Sequence, residues 1–550
     1  MATPTQNIKT LLLDGYLDEP SCLGVPPYIS PHARYLYGAL VAGGIPEELI
    51  DYLTADSYRN NQDKGVLEEY DLIIVLAGTT VPGHYLGGQP LSLAEIKELG
   101  SKLQYPTSVL AGPITLVWQE LPGHQVLAEN YDIITGELAP LEIYNRLKDQ
   151  VDQPVIAAKN REEVASAISD WSLTGSQIFK VHPGYPKLVA ELETFRGCPR
   201  SKHCEFCSEQ LKEIHYQRKS EAIAAEVKAI AAAGVHNYRL GCQTDLLAYP
   251  WIEELYSAIR EADPELKVLH LDNINPGPLG RKDPTEARRL LNIICKYNTP
   301  GDVAAFGLES ADPEVLRANN IDTDPDLTFR AIERINEIGG QRVDGIPKLL
   351  PGLNFLAGLK GERKETYQHN LRYLRRIKEA GLMLRRINIR QVNPLGSYQA
   401  TKVDSRRFKE FKRQVNEEIN QPMLQQVFPR GTVIHGVWPE KQKGRLTYGR
   451  RPGSYPILIG IPGDYLSQDS ISVQIIDHGY RSITALPYPF YIDQASLIQL
   501  EQIPGFGKKR AEKVLLAQPK NLEELSAVIG SGFPLEDWQD IFKFSRNKSK

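Results

Sequence analysis

Short apolar runs, each closed by a glycine within one or two residues, punctuate the first 150 residues. Ile8–Leu13 ends at Asp14-Gly15, Asp71–Ala77 at Gly78, Thr107–Ala111 at Gly112 and Tyr131–Thr135 at Gly136. Runs of this length bounded by glycine fit strands of a parallel sheet buried on both faces. Ser30–Ala42 and Ser92–Leu103 supply the crossover helices. The spacing predicts an open α/β domain over residues 1–150, with ligands held at the carboxyl ends of its strands. A helical connector is expected over 151–192. The strand–helix rhythm then resumes over 193–395, with strands at Thr194–Gly197, Asn237–Gly241, Val268–Asp272, Val303–Gly307, Leu353–Leu356 and Arg386–Gln391. Helices at Ser220–Ala233 and Glu365–Ala380 lie among them. Repeated βα units argue for a full or partial barrel.

After that the texture changes. Glycine, tyrosine and β-branched residues alternate over 396–485, as in Gly431–Val437 and Ile471–Ile476, which predicts a small β-rich module. Residues 486–550 turn helical. Ser496–Ile503, the turn Pro504-Gly-Phe-Gly507 and Lys508–Ala517 read as a helix-hairpin-helix, with the last residues frayed.

Composition narrows the class. The chain has 550 residues, too many for one core. With 64 basic and 68 acidic residues, bulk charge does not imply a nucleic-acid partner, although a local basic face remains open. No apolar run approaches the roughly 20 residues of a membrane span, so no membrane partner and a cytoplasmic location are expected. Six cysteines cannot form a disulfide scaffold, but three of them, Cys198, Cys204 and Cys207, fall within ten positions.

Three close thiolates on a loop after a strand suit zinc, a disulfide or an iron–sulfur cluster. Zinc normally takes a fourth side-chain ligand, and His203, adjacent to Cys204, is poorly placed to join it on one ion. Three cysteines that leave one iron open fit the count better. The segment Phe195-Arg-Gly-Cys-Pro-Arg-Ser-Lys-His-Cys-Glu-Phe-Cys207 resembles the cluster loop of radical S-adenosylmethionine (SAM) enzymes, with Phe206 as the aromatic before the last cysteine. Its C-x5-C-x2-C spacing departs from the usual C-x3-C-x2-C. The resemblance implies a [4Fe-4S] cluster on Cys198, Cys204 and Cys207, SAM chelated at the open iron, a reductant protein, and cleavage to a 5′-deoxyadenosyl radical. It further implies SAM contacts from Gly241 and Gln243, where the family carries a Gly-Gly-Glu-like turn. Glu309 in Gly307-Leu-Glu-Ser310 and Arg390 in Arg385-Arg-Ile-Asn-Ile-Arg390 extend the set. Gly358-Leu-Lys-Gly-Glu362 resembles the family's Gly-x-Pro-Gly-Glu turn, with Lys360 in place of proline.

An α/β domain before such a barrel is, by the same resemblance, either a cobalamin-binding domain or a methylthiotransferase domain bringing three more cysteines. Only Cys22 precedes residue 190, which leaves a Rossmann-like cobalamin-type domain. Gly78, Thr79, His84, Gly112 and Gly136 are its expected cofactor contacts, the glycines letting backbone approach the corrin. His84 sits in an incomplete Asp-x-His-x-x-Gly pattern and is expected to make a polar contact, not a cobalt bond.

Phrases such as Ala304–Asp312 and Leu349–Asn354 resemble radical SAM proteins of methanogenic archaea. This implies a cobalamin-dependent C-methyltransferase acting on protein, with a glutamine of methyl-coenzyme M reductase as the expected target. The alternative is a tRNA-modifying radical SAM enzyme. The β module loosely resembles the RNA-binding appendage of tRNA methylthiotransferases, and Lys508, Lys509 and Arg510 beside the hairpin glycines suit phosphate. A non-enzymatic nucleic-acid adaptor with a structural cluster is the third reading.

Overall fold

Every residue of Thr10–Asp14 (β1) is buried, as a strand covered on both faces must be. The computed structural model describes residues 7–17, 28–60, 66–79, 88–103, 106–394 and 397–545. Cys22 and His84 lie outside them. Tyr28–Ile29 (β2) belongs to a second sheet, while Ile50–Thr54 (β3), Leu72–Leu76 (β4), Thr107–Ala111 (β5) and Ile133–Ile134 (β6) join β1 in the parallel order β3-β1-β4-β5-β6. Counted within the domain this is 2-1-3-4-5, and the order reverses between β1 and β4. Strand β3 carries no long apolar run. It is an edge strand whose Asp51 is exposed, so the pattern did not mark it.

The barrel begins earlier than the sequence suggested. Its first strand is Val189–Leu192 (β7), inside the stretch read as helical connector, whereas Phe195–Arg196 pairs antiparallel with Tyr216–Gln217. Glu191 hid the strand. Its carboxylate is buried and meets Arg239 Nη1 at 3.0 Å. Asn237–Leu240 (β8), Val268–Leu271 (β9), Asp302–Glu309 (β10), Leu349–Ala357 (β11) and Arg386–Gln391 (β12) follow. β2-β7-β8-β9 and β10-β11-β12 form two parallel sheets, joined by an Asn273–Ala305 bridge. The helix Pro31–Gly43 is locked to this arc through Arg34. The Arg34 and Arg218 guanidiniums both meet Glu226 at 2.6 Å, and all three side chains are fully buried.

Val433–Lys443 (β13), Leu446–Arg450 (β14), Leu458–Pro462 (β15), Ile471–His478 (β16) and Ser482–Pro487 (β17) close into a barrel of order β13-β14-β15-β17-β16. Its β14–β15 loop packs into the larger barrel. The Tyr455 hydroxyl donates to Asp272, Ser454 Oγ to the Leu271 carbonyl, and Tyr28 Oη to the Gly453 carbonyl. The Arg239 guanidinium lies between the rings of Tyr28 and Tyr455 and pairs with Asp272 at 2.6 Å. The barrel's interior at this level is therefore a paired plug. At the end of the chain the short helix Leu497–Glu501, a tight turn and the helix Gly507–Ala517 pack against Ile476 and Leu486.

Candidate active site

The cysteine loop leaves Arg196 through Gly197, whose φ of +102° and closeness to the His215 ring admit no side chain. Cys198, Cys204 and Cys207 are all half-exposed and unbridged. Cys204 and Cys207 form one turn, the Cys207 N–H donating to the Cys204 carbonyl at 3.1 Å. Arg200 Nη1 donates to Cys204 Sγ at 3.2 Å. Burial pushes the Cys204 thiol up to about 11, against the pull of Arg200, and pushes Cys207 up to about 12. The donor set suits iron in kind, being three free thiols on one loop. In this arrangement, however, no three His, Cys, Asp or Glu among the described residues stand close enough to hold a metal ion.

The loop is anchored to the barrel by residues on both sides of Phe206. Phe206 packs edge-on to Tyr398, with ring centroids 6.4 Å apart, near Val315, Leu316 and Leu359. Glu205 receives Lys360 Nζ at 3.0 Å and Asn320 Nδ2 at 3.2 Å. Lys360 thus has its own task where the family turn has proline: it ties the turn after β11 to the cysteine loop.

Two strained residues flank the mouth. Glu309 ends β10 past a register shift with φ +64°, and Cys242 after β8 has φ +65°. Side-chain-bearing residues rarely take this conformation, and it concentrates at functional sites. Glu309 folds back over Gly307. Burial raises its carboxyl to about 8, with Arg200 and Arg390 opposing, so it is mostly protonated at pH 7. Gly241 passes so close to Glu191 that a Cβ would collide with the carboxylate, and Cys242 Sγ donates to the same carboxylate at 3.3 Å. Gln243 is buried. Its Nε2 donates to the Leu240 carbonyl, while its Oε1 has no partner. A buried unpaired carbonyl needs a donor from a ligand or water. Arg390 shares the inward face of β12 with Arg386 and Asn388, while Ile387 and Ile389 face the core.

Gly78 and Thr79 follow β4 at the point where strand order reverses. Gly112 has φ +98°, and its missing Cβ makes room for the Ala77 carbonyl; Gly136 lies against Glu142. Both positions have a neighbour inside the domain where a side chain would stand. Thr135 Oγ1, at the end of β6, is buried without a partner. Sequence reasoning missed two groups here. Arg200 stood within the cysteine motif and was passed over. Asp14 accepts Tyr52 Oη at 2.5 Å beneath the buried His182, whose pKa burial lowers to about 4; neither carries a motif.

Residues 192–374 match the model of the radical SAM superfamily, so this barrel is a radical SAM domain. The chain belongs to the same family as an uncharacterized protein of Archaeoglobus fulgidus, with 36% identity over 95% of this chain and 98% of the relative. It is also 38% identical to the uncharacterized protein MJ0274 of Methanocaldococcus jannaschii, over 86% of this chain and 92% of that one. Among solved structures it is similar to the radical SAM methyltransferase TsrM of Kitasatospora setae, with cobalamin and a [4Fe-4S] cluster bound. That match has 16% identity and a TM-score of 0.43, covering 69% of this chain and 71% of that one. A likeness so distant carries no chemistry across.

Proposed function

We infer that the chain is a cobalamin-dependent radical SAM C-methyltransferase. The observation that carries the radical part is the cysteine loop beside strained Glu309, whose charge acts on Cys204, with Thr244, next to the unpaired Gln243, donating to the Gly197 carbonyl at the start of that loop at 3.4 Å. Cys198, Cys204 and Cys207 would hold the cluster, Cys198 closing on the Cys204–Cys207 turn. A bound cluster supplies the electron that cleaves SAM homolytically. Gln243 Oε1 accepts from the SAM amino group. Protonated Glu309 donates a hydrogen bond, and Arg200 and Arg390 hold the carboxylate end, fixing the sulfonium before any electron moves.

Cobalamin is supported by the 2-1-3-4-5 strand order and the orphaned Thr135 hydroxyl. Gly78 and Thr79 line the crevice where the order reverses. Bound there, it would serve as methyl carrier. The substrate in this reading is a protein, and a glutamine of methyl-coenzyme M reductase is the first target to assay. That choice rests on the family resemblance alone.

Anaerobic purification and reconstitution test the reading. Corrin and iron–sulfur absorption, and 5′-deoxyadenosine formed from SAM and dithionite, are expected. The Cys198, Cys204 and Cys207→Ala variants should lose cluster absorption and the nucleoside together. Wild-type protein that makes no 5′-deoxyadenosine overturns the radical assignment, and protein that takes up no corrin overturns the cobalamin assignment alone.

A further inference from the structure

We propose that the outer face of the C-terminal β-barrel binds single-stranded RNA. The order β13-β14-β15-β17-β16, with β15 and β17 parallel and β13 closing on β16, is that of an oligonucleotide-binding barrel. Folds of this kind take nucleic acid on their second and third strands and on the loops after the first and fourth.

Thr447 and Gly449 of β14, Ile459 and Ile461 of β15, and Ile483 and Ala485 of β17 are buried and face the interior; of the alternate positions Leu446, Tyr448, Arg450, Ser482 and Thr484 are half-buried on the outer face, while Gly460 and Pro462 are covered. Across this outer face Lys441, Tyr448, Gly460 and Thr484 stand in one register row, and Lys443 pairs with Leu446 in the next. Gly460 makes room for the Tyr448 ring, whose Cε1 lies 3.6 Å from where a Cβ would be. A ring on a strand surface beside lysines is what successive bases stack on.

Lys441 and Lys443 are exposed and have no ion-pair partner among the described residues. The loop after the fourth strand adds exposed Tyr480, with the Arg481 guanidinium 5.8 Å from its ring centre. Residues 430–550 carry 16 basic against 12 acidic side chains, although the whole chain is net acidic. Thr484 and Ser482 present hydroxyls to the same surface, which suits the 2′-hydroxyls of RNA.

The face is also fixed relative to the catalytic barrel. Strand β14 starts beside the helical tail, where Arg445 pairs with Glu501 at 3.1 Å, and ends where Arg450 leads into the Ser454–Tyr455 plug. A strand bound across Tyr448 is thus held between the tail and the radical SAM domain.

Fluorescence anisotropy of the full-length protein with a labelled 12-nucleotide uridine oligomer tests this without cluster or SAM, so it fails or succeeds independently of the radical chemistry. Tyr448→Ala should weaken binding about tenfold. The double variant Lys441→Glu and Lys443→Glu should lower the slope of log affinity against log salt by roughly 1.4. Both variants should keep the wild-type circular dichroism and melting temperature. Absent binding at low salt, or binding unchanged in both variants, overturns the proposal. So does a loss confined to Lys508→Glu with Lys509→Glu, which would place the RNA on the tail. A deoxythymidine 12-mer bound as tightly as the uridine oligomer overturns the choice of RNA.

Discussion

The two levels of the radical SAM barrel are built to opposite rules. At the plug, buried charge is matched in sign: Arg239 pairs with both Glu191 and Asp272, although its Nε has no hydrogen-bond partner, and Tyr455 and Ser454 donate to Asp272 and the Leu271 carbonyl. At the mouth, the same barrel tolerates two left-handed residues, an unpaired Gln243 carbonyl and a carboxyl held protonated by burial. Paired charge holds the plug together, while left-handed backbone and a raised carboxyl are concentrated at the mouth. The difference locates chemistry without reference to any motif.

Mutation separates the two rules most sharply at Arg239. Arg239→Met leaves Glu191 and Asp272 buried without their cation and should cost about 3–5 kcal/mol in urea unfolding, loosening the C-terminal module together with the barrel. A loss below about 1 kcal/mol would mean that the plug is ornamental to stability. His270 offers a milder version. Its Nδ1 accepts the Ser454 N–H at 3.0 Å and its Nε2–H donates to the Thr299 carbonyl at 3.1 Å. Burial, with Arg451 adding to it, lowers its pKa to about 3 from 6.5. The folded state therefore refuses a proton that the unfolded chain accepts. This contribution is intact above pH 6.5 and is lost as pH falls towards 3, by up to about 1.4 kcal/mol per pH unit. Asp302, 3.9 Å away and raised to about 8 by burial, has the opposite sign. The comparison of wild type with His270→Gln at pH 6.5 and 5 isolates the histidine, and equal slopes would remove it from the plug.

Legibility in the sequence followed the same division. Several strands were legible: Thr107–Ala111 and Arg386–Gln391 match in full and Asn237–Leu240 is one residue shorter than expected, while the strand read at Leu353–Leu356 begins four residues earlier, at Leu349. Val189–Leu192 was lost because Glu191 interrupts the run, and its partner Arg239 lies 48 positions away. The cysteine loop announced itself by spacing. Its anchor did not, because Glu205–Lys360 is a contact across 155 positions that no local pattern encodes. The plug was invisible for the same reason: Ser454 and Tyr455 are ordinary loop residues until the fold brings Asp272 and His270 to them.

Glu309 gives the finest test, because strain and ligand binding pull in opposite directions there. At φ +64° its side chain disfavours the backbone it occupies, and its carboxyl is buried enough to stay protonated near pH 7. Glu309→Gly relieves the strain and removes the buried acid, while adding freedom to the unfolded chain. The net effect should be a gain of about 1 kcal/mol in stability. The same change deletes a hydrogen-bond donor from the mouth, so equilibrium dialysis of SAM against reconstituted protein should show weaker binding by about tenfold. Stability and affinity should therefore move apart. If Glu309→Gly instead unfolds more easily and binds SAM unchanged, the residue belongs with the plug, and the mouth loses the one carboxyl that distinguishes it from packed interior.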